Sequence, residues 1–270
     1  MREVLFYKAH GTGNDFIIFI EKNFPKKLFE PSFIKKICNR KTGIGADGVI
    51  FTKLISSDLF EIQYYNSDGT WETFCANGSR CVGKILIQNG LIENNSTFNA
   101  GDGEHTLKFE NNIVWIKTKP PTFKTNEINC YGYIGRHIDS GAKHFVTIVN
   151  NLTLENVKKF GPKIRYSKIF KPLGLNVNFA KKISNNKIKV ITYEKGIEEV
   201  VLSCGSGSIA SAYSIYKSLS LQSPIKIEVL GGELDLKFNE NWDDVWLGGP
   251  AVVVFKSKLR FSNIDICDYQ

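Results

Sequence analysis

The sequence predicts an α+β fold built from two similar units, and three observations carry that expectation. Short strand-like runs, β-branched or aromatic and bounded by turn residues, dominate the chain, with few helical stretches between them. The pattern pauses at Lys119-Pro120-Pro121-Thr122 and then begins again, which places a domain junction between 1–119 and 120–270. Two segments also echo each other: YNSDGTWETFCANGSRCVGKIL at 65–86 and YEKGIEEVVLSCGSGSIASAYSIY at 193–216.

In the first half the strand-like runs are VLFYKAH, DGVIFTKL, LFEIQYYN, HTLKFE and IVWIKTK, separated by turns such as Asn66-Ser67-Asp68-Gly69 and Gly101-Asp102-Gly103. Phe33, Ile34 and Ile37 fall on one face and predict a helix over Pro31–Arg40, while Val82, Ile85 and Leu86 make the stripe of a helix from about Asn77 to Gln88. In the second half HFVTIVN, KIKVITYEKG, PIKIEVLGGELDLKF and DVWLGGPAVVVF read as strands. Helices are expected over Leu154–Phe160 and Ser206–Leu219.

Composition bounds the function. An apolar fraction of 42% and a charged fraction of 23% are those of a globular protein. No apolar run is long enough for a membrane helix, and MREVLFYKAHGTGNDF turns polar too soon for a signal peptide, so the expected location is the cytoplasm with no membrane partner. The net charge of +8 comes from scattered pairs such as Lys35-Lys36, Lys158-Lys159 and Lys181-Lys182, not from a basic patch, and no nucleic-acid partner is expected. The six cysteines form no C-x2-C pair, which argues against a zinc site and for free thiols. Cys38, Cys130 and Cys267 read as small buried hydrophobes.

Cys75 and Cys204 read differently. Each opens a helix in the pattern Cys–x–x–Gly–Ser, with Gly78 matching Gly207 and Ser79 matching Ser208. The second copy, SCGSGSIAS, has the glycines of a phosphate loop but no lysine after them. A helix N-terminus carries N–H groups with no intrahelical acceptor and the positive end of the macrodipole, so it seats an anion and draws a thiol pKa down toward neutrality. Two such mouths could hold a small carboxylate with a thiol on each side of its α-carbon, one removing a proton and the other delivering one. No cofactor or metal is required.

In HGTGNDF (10–16), GIGADG (43–48), YNSDGTWETFCANGSRC (65–81), NVNF (176–179), YEKG (193–196) and SCGSG (203–207), with GGELDLKF and LGGPAVVVF beyond them, the chain resembles the diaminopimelate epimerase family of cofactor-independent isomerases. The resemblance implies two pseudo-symmetric domains, each a curved mixed β-sheet around a central helix, with the active site in the inter-domain cleft. It also implies that the last strand, about 253–270, returns to the first domain. The implied reaction converts LL- to meso-diaminopimelate, on the lysine and peptidoglycan precursor route, without pyridoxal phosphate and in a homodimer. Cys75 and Cys204 would be the acid/base pair, and the backbone of Ala76-Asn77 and Gly205-Ser206 would bind the reacting carboxylate. Asn14, Asn66 and Asn176 would contact substrate, His144 would tune the thiols, and Glu194 would hold the α-ammonium. His10 reads as a local structural residue; His105 and His137 have no motif.

Three positions depart from the family pattern, all concerned with the distal end of the substrate: Gly48 where Gln is common, Ala142 where Asn is common, and Lys195 where Glu is usually followed by Arg. Lysine offers a point charge in place of arginine's two-pronged fork, and Lys195, helped by Lys143, is the expected distal carboxylate contact. The alternatives are a related racemase of another amino acid, a non-catalytic module with two anion seats, and a redox dithiol protein.

Overall fold

The structure is a computed structural model and describes residues 2–21, 24 and 26–261; Cys267 lies outside them. The chain divides into two compact units, Met1–Ile116 with Ala251–Gln270, and Lys117–Pro250. Four α-helices are present among the described residues: α1 (Pro31–Cys38), α2 (Ala76–Gln88), α3 (Leu154–Arg165) and α4 (Gly205–Leu219).

In the first unit, strands Arg2–Gly11 and Asn14–Ile20 form a hairpin, flanked on its outer side by the antiparallel strand Val252–Phe261. Thr12 closes the hairpin at φ 54°, a costly conformation for a β-branched residue, and its hydroxyl accepts a hydrogen bond from Arg80 at 3.3 Å. The chain crosses over through α1 to strand Gly48–Leu54, parallel to Asn14–Ile20, and returns antiparallel as Leu59–Asn66. A second crossover, through α2, leads to Asn95–Ala100, parallel to Leu59–Asn66, followed by the antiparallel strands Gly103–Glu110 and Ile113–Thr118.

The second unit repeats this order. Strands Tyr133–Asp139 and Lys143–Ile148 form the hairpin, α3 crosses to the parallel strand Asn176–Ser184, and Lys187–Glu194 returns antiparallel. Helix α4 then crosses to Ile225–Val229, which lies parallel to Lys187–Glu194, and Gly232–Phe238 and Val245–Gly249 complete the sheet.

Helices α2 and α4 are the central elements. Ala76 through Leu86 are all buried, and so are Gly205, Gly207 through Ala212, Ser214 and Ile215. Around α2 the core comprises Phe16, Ile50, Phe60, Phe98, Leu107 and Ile116, with Val82, Ile85 and Leu86 from the helix. A helix buried on every side needs small residues where strands approach it. A Cβ on Gly78 would lie 2.4 Å from Ile50 Cδ1, and one on Gly207 would lie 2.3 Å from Asn178 Oδ1.

Helix α3 runs five residues past the expected end at Phe160, to Arg165. Gly161-Pro162 reads as a stop, but Gly161 packs against the Tyr193 ring, where a Cβ would clash at 2.7 Å, and Val157 and Ile164 are fully buried. Tertiary packing outweighs local propensity there. Cys38 and Cys130 are buried as expected, and burial pushes the Cys38 thiol up to about 12. No helix is long and apolar enough to cross a membrane among the described residues.

Candidate active site

Cys75 and Cys204 occupy equivalent places: each is the N-cap of its unit's central helix, in extended conformation (φ −141° and −131°). In both mouths the serine four residues on donates its amide and its hydroxyl to the cysteine carbonyl, Ser79 to Cys75 and Ser208 to Cys204. The first-turn amides of Ala76-Asn77 and Gly205-Ser206 precede the first intrahelical bond, the position that forms the anion seat of a helix N-terminus.

Around the first mouth, Asn14 Oδ1 accepts from Asn77 Nδ2 at 3.2 Å and from the half-buried Cys75 thiol at 3.9 Å. Asn14 Nδ2 donates to Asp47 at 2.9 Å. The GIGADG and HGTGNDF segments are thus fastened together by charge. Asp15 is bracketed by Lys8 at 2.6 Å and Arg40 at 2.7 Å, and Arg40 also reaches Asp47 at 2.6 Å. Burial alone would raise the Asp15 carboxyl, but the hydrogen bonds and charges of Arg40 and Lys8 hold it well below the usual carboxylate range. Beneath the mouth the fully buried Arg80 donates to Asn77 Oδ1 at 2.7 Å and Ala76 O at 3.3 Å. His105, which no motif marked, stacks on Phe74, the residue before Cys75, at 4.1 Å and holds Asp102 at 2.7 Å.

Around the second mouth the arrangement is a chain of neutral groups. Thr192 Oγ1 donates to Asn178 Oδ1 at 2.7 Å, and Asn178 Nδ2 lies 2.9 Å from His144 Nδ1. His144 Nε2 lies 3.0 Å from Ser206 Oγ, itself 3.7 Å from Cys204 Sγ. Burial pushes His144 down to about 3, so the ring is neutral. Glu194 hydrogen-bonds Cys204, and Asn176 Oδ1 accepts from the Lys195 amide at 2.7 Å.

The dipole argument for the thiol fails at Cys204. Its pKa is raised well above the ordinary thiol value, first by burial and then by the charge and hydrogen bond of Glu194, while the Gly207 amide and the Ser206 hydroxyl pull weakly the other way. Desolvation and a neighbouring carboxylate outweigh the helix end.

The structure therefore gathers Asn14, Cys75, Ala76 and Asn77 at one mouth, and His144, Glu194, Cys204, Gly205 and Ser206 at the other. The Asn66 side chain instead bonds to Tyr64, Thr70 and Glu72. His10 sits near the end of strand Arg2–Gly11 and ties down the following turn, its Nδ1 accepting from the Gly13 amide at 3.3 Å. Gly48 is buried, and the Tyr64 ring fills the space a side chain would take, 2.5 Å from a built Cβ. Ala142 accepts from the Ser140 amide, in a turn whose Ser140 hydroxyl donates to Ser206 O at 2.8 Å. Lys195 is exposed, and its ammonium makes no hydrogen bond or ion pair among the described residues. Lys143, adjacent to His144 on a strand, faces the other way, lining a small cavity with His137 and residues 169–175. Asn178 and Arg80 lie within the NVNF and YNSDGTWETFCANGSRC segments but drew no role of their own, and Thr192 and Tyr64 lie in none of the matching segments. Among the described residues no group of three His, Cys, Asp or Glu side chains could hold a metal.

The diaminopimelate epimerase family model matches residues 6–123 and 136–254. The chain is 37% identical over 261 residues to a diaminopimelate epimerase of Flavobacterium psychrophilum, covering 94% of this chain and 99% of that protein. It is 34% identical over 270 residues to one from Aquifex aeolicus, covering 94% and 97%. Among solved structures, a phenazine biosynthesis protein of the PhzF family from Bacillus anthracis superposes with TM-score 0.74 at 11% identity, over 97% of this chain and 100% of that one. A probable proline racemase from Agrobacterium radiobacter gives TM-score 0.73 at 13% identity, over 97% and 94%; these two likenesses concern the fold. Two repeats, each with a cysteine capping its buried central helix, and relatives of this identity over nearly the full length place the chain in the diaminopimelate epimerase family.

Proposed function

We propose that this chain interconverts LL- and meso-2,6-diaminopimelate by two-base proton transfer at the α-carbon, with Cys75 and Cys204 as the two bases. The observation that carries the reading is the pair of thiols, each at the extended N-cap of a buried helix in equivalent places of a repeated unit. The substrate α-carboxylate sits on the first-turn amides of Ala76-Asn77 and Gly205-Ser206. One thiolate removes the α-proton, the other thiol delivers a proton to the opposite face, and the amides stabilise the negative charge that moves onto the carboxylate between those events.

The surroundings support one resting state. Cys204, buried beside Glu194, begins as the acid. Cys75 is then its complement, the starting base, and the roles exchange in the reverse direction. Glu194 takes the α-ammonium; once paired it opposes Cys204 ionisation less, so substrate binding primes the second thiol. Asn14, Asn66 and Asn176 make polar contacts to the substrate, and Lys195 takes the distal carboxylate. The reaction needs no pyridoxal phosphate, belongs in the cytoplasm on the route to lysine and peptidoglycan, and is carried out by a homodimer.

The test is NMR of substrate α-protons in deuterated water. LL-diaminopimelate should gain deuterium at an α-carbon as the meso form appears, while lysine, histidine and glutamate stay protonated. Exchange with one of those three and none with diaminopimelate would transfer the chain to a racemase of another amino acid, the reading that Gly48, Ala142 and Lys195 favour.

A further inference from the structure

The second mouth contains a fully buried pair, Asn178 and His144, that the proton-transfer scheme above does not use. Asn178 has its Oδ1 on the Thr192 hydroxyl and its Nδ2 on His144 Nδ1. A carboxamide Nδ2 can only donate, so His144 Nδ1 is an acceptor, and a neutral imidazole then carries its proton on Nε2. That proton points to Ser206 Oγ at 3.0 Å. A hydroxyl that accepts from histidine keeps its single proton for another acceptor, and Cys204 Sγ lies 3.7 Å away.

Two further observations show that this pair occupies a made place. The equivalent niche in the first unit is apolar: Phe16 opposes Gly48 as His144 opposes Asn176, and Ile50 and Asn178 each lie two residues on. The glycine of each helix mouth admits the group beneath it, Gly78 over Ile50 and Gly207 over Asn178. A core position that one repeat fills with isoleucine is, in the other, a hydrogen-bonded amide. Burying such a group is unfavourable unless its polar atoms are bonded, and here Oδ1 and Nδ2 each have a partner.

We infer that Asn178 is a positioning residue for Cys204: locked by Thr192, it holds His144 as the Nε2–H tautomer, so that the Ser206 hydroxyl directs its proton at the Cys204 sulfur and favours the thiolate. The inference rests on Cys204 being one of the two bases. The titratable groups acting on the pair are His137 on His144 and Glu194 on Cys204, and neither is altered in the test.

The first measurement uses the unaltered protein: ¹⁵N-edited NMR of the His144 ring over about pH 6–9 should show one neutral Nε2–H tautomer throughout. An Nδ1–H ring overturns the inference at once. The second uses Asn178→Asp, of the same shape but accepting where the amide donates, with Thr192→Val as the milder variant that removes only the lock. In both, Nδ1 should gain a proton, and the pH profile of Cys204 alkylation, read by peptide mapping, should move to higher pH. Asn178→Asp should lower kcat about 10- to 100-fold with KM changed less than about threefold, at or below the low end for a lost general acid–base contribution because the thiol itself remains. A folded variant in which Nδ1 stays unprotonated, or in which it is protonated while the alkylation profile stays put, overturns the inference. Neither ring tautomer nor alkylation depends on which amino acid is the substrate, so failure here is separate from failure of the epimerase reading.

Discussion

Beneath Cys75 the central helix rests on Ile50 and Phe16; beneath Cys204 it rests on Asn178 and His144. The flanks differ as well. The first mouth has a buried cation, Arg80, and an ionic clasp of Lys8, Asp15, Arg40 and Asp47, whereas the second has a carboxylate, Glu194, and neutral donors and acceptors. The same backbone device is thus set in opposite electrostatic surroundings. The difference teaches that a repeated backbone can present two equal helix ends, and that the side chains around them, not the helices, set how differently the two thiols are surrounded.

The largest effect should come from removing either thiol. Cys75→Ala and Cys204→Ala should each lower epimerisation by about 1,000-fold or more, within the upper range for a lost proton-transfer group. The comparison sharpens if α-proton exchange is followed separately from inversion, because a single remaining thiol can at most exchange from its own face. Appreciable inversion by either variant would break the two-base reading.

Next in size is Glu194→Gln. Loss of the ammonium contact should reduce kcat/KM about 10- to 100-fold, the range expected when a charged partner is removed. Its second consequence has the opposite sign. Glu194 and burial raise the Cys204 pKa, so the folded state holds the thiol proton tightly, and the stabilisation this gives is complete below the unfolded thiol value and fades as pH rises toward the folded one. Without the carboxylate the thiolate should form at lower pH, visible as an acid-ward move of Cys204 alkylation. An unmoved profile would mean that burial alone holds the proton.

The clasp at the first mouth offers a stability test with no counterpart at the second. Lys8→Met leaves Asp15 with Arg40 alone and should cost about 2 kcal/mol, as for a lost hydrogen bond to a charged group whose other partner remains. Asp15 is held below its unfolded value, so its contribution is present above that value and lost as pH falls through the folded one. Thermal melts of the variant and the unaltered protein should therefore be well separated near neutrality and converge in acid. A separation that persists in acid would assign the loss to packing of the lysine stem.

Much of this was legible in the sequence where the cause is local. Periodicity located α1, α2 and α4 within one or two residues, and Cys–x–x–Gly–Ser marked both mouths because the cap, the small residues and the serine that bonds back to the cysteine carbonyl lie within one helical turn. What depended on strand register was not legible. Asn178 lies under Gly207 only because strand Asn176–Ser184 pairs with Lys143–Ile148 as it does, and Lys143 turns from His144 because strand neighbours face opposite sides. The ionisation of Cys204 was misread for the same reason: the dipole is written in the helix, but the burial and Glu194 that overrule it come from elsewhere.

Matched glycine substitutions give the finest test of the comparison, because the two positions are equivalent and only what lies beneath them differs. Either alanine must displace a neighbour, and overpacking of this kind costs about 1–3 kcal/mol. Under Gly78 the obstacle is the terminal methyl of Ile50, which can turn away, so Gly78→Ala should sit near the low end and recover most of its stability with Ile50→Val. Under Gly207 the obstacle is Asn178 Oδ1, held by Thr192 and by the amide's bond to His144, so Gly207→Ala should cost more. It should also disturb the Cys204 alkylation profile, which Gly78→Ala should leave alone. Chemical denaturation of both variants, with alkylation of Cys204 measured alongside, separates the cases. Equal costs and an undisturbed Cys204 in both would reduce the second niche to packing, the role its counterpart plays in the first unit.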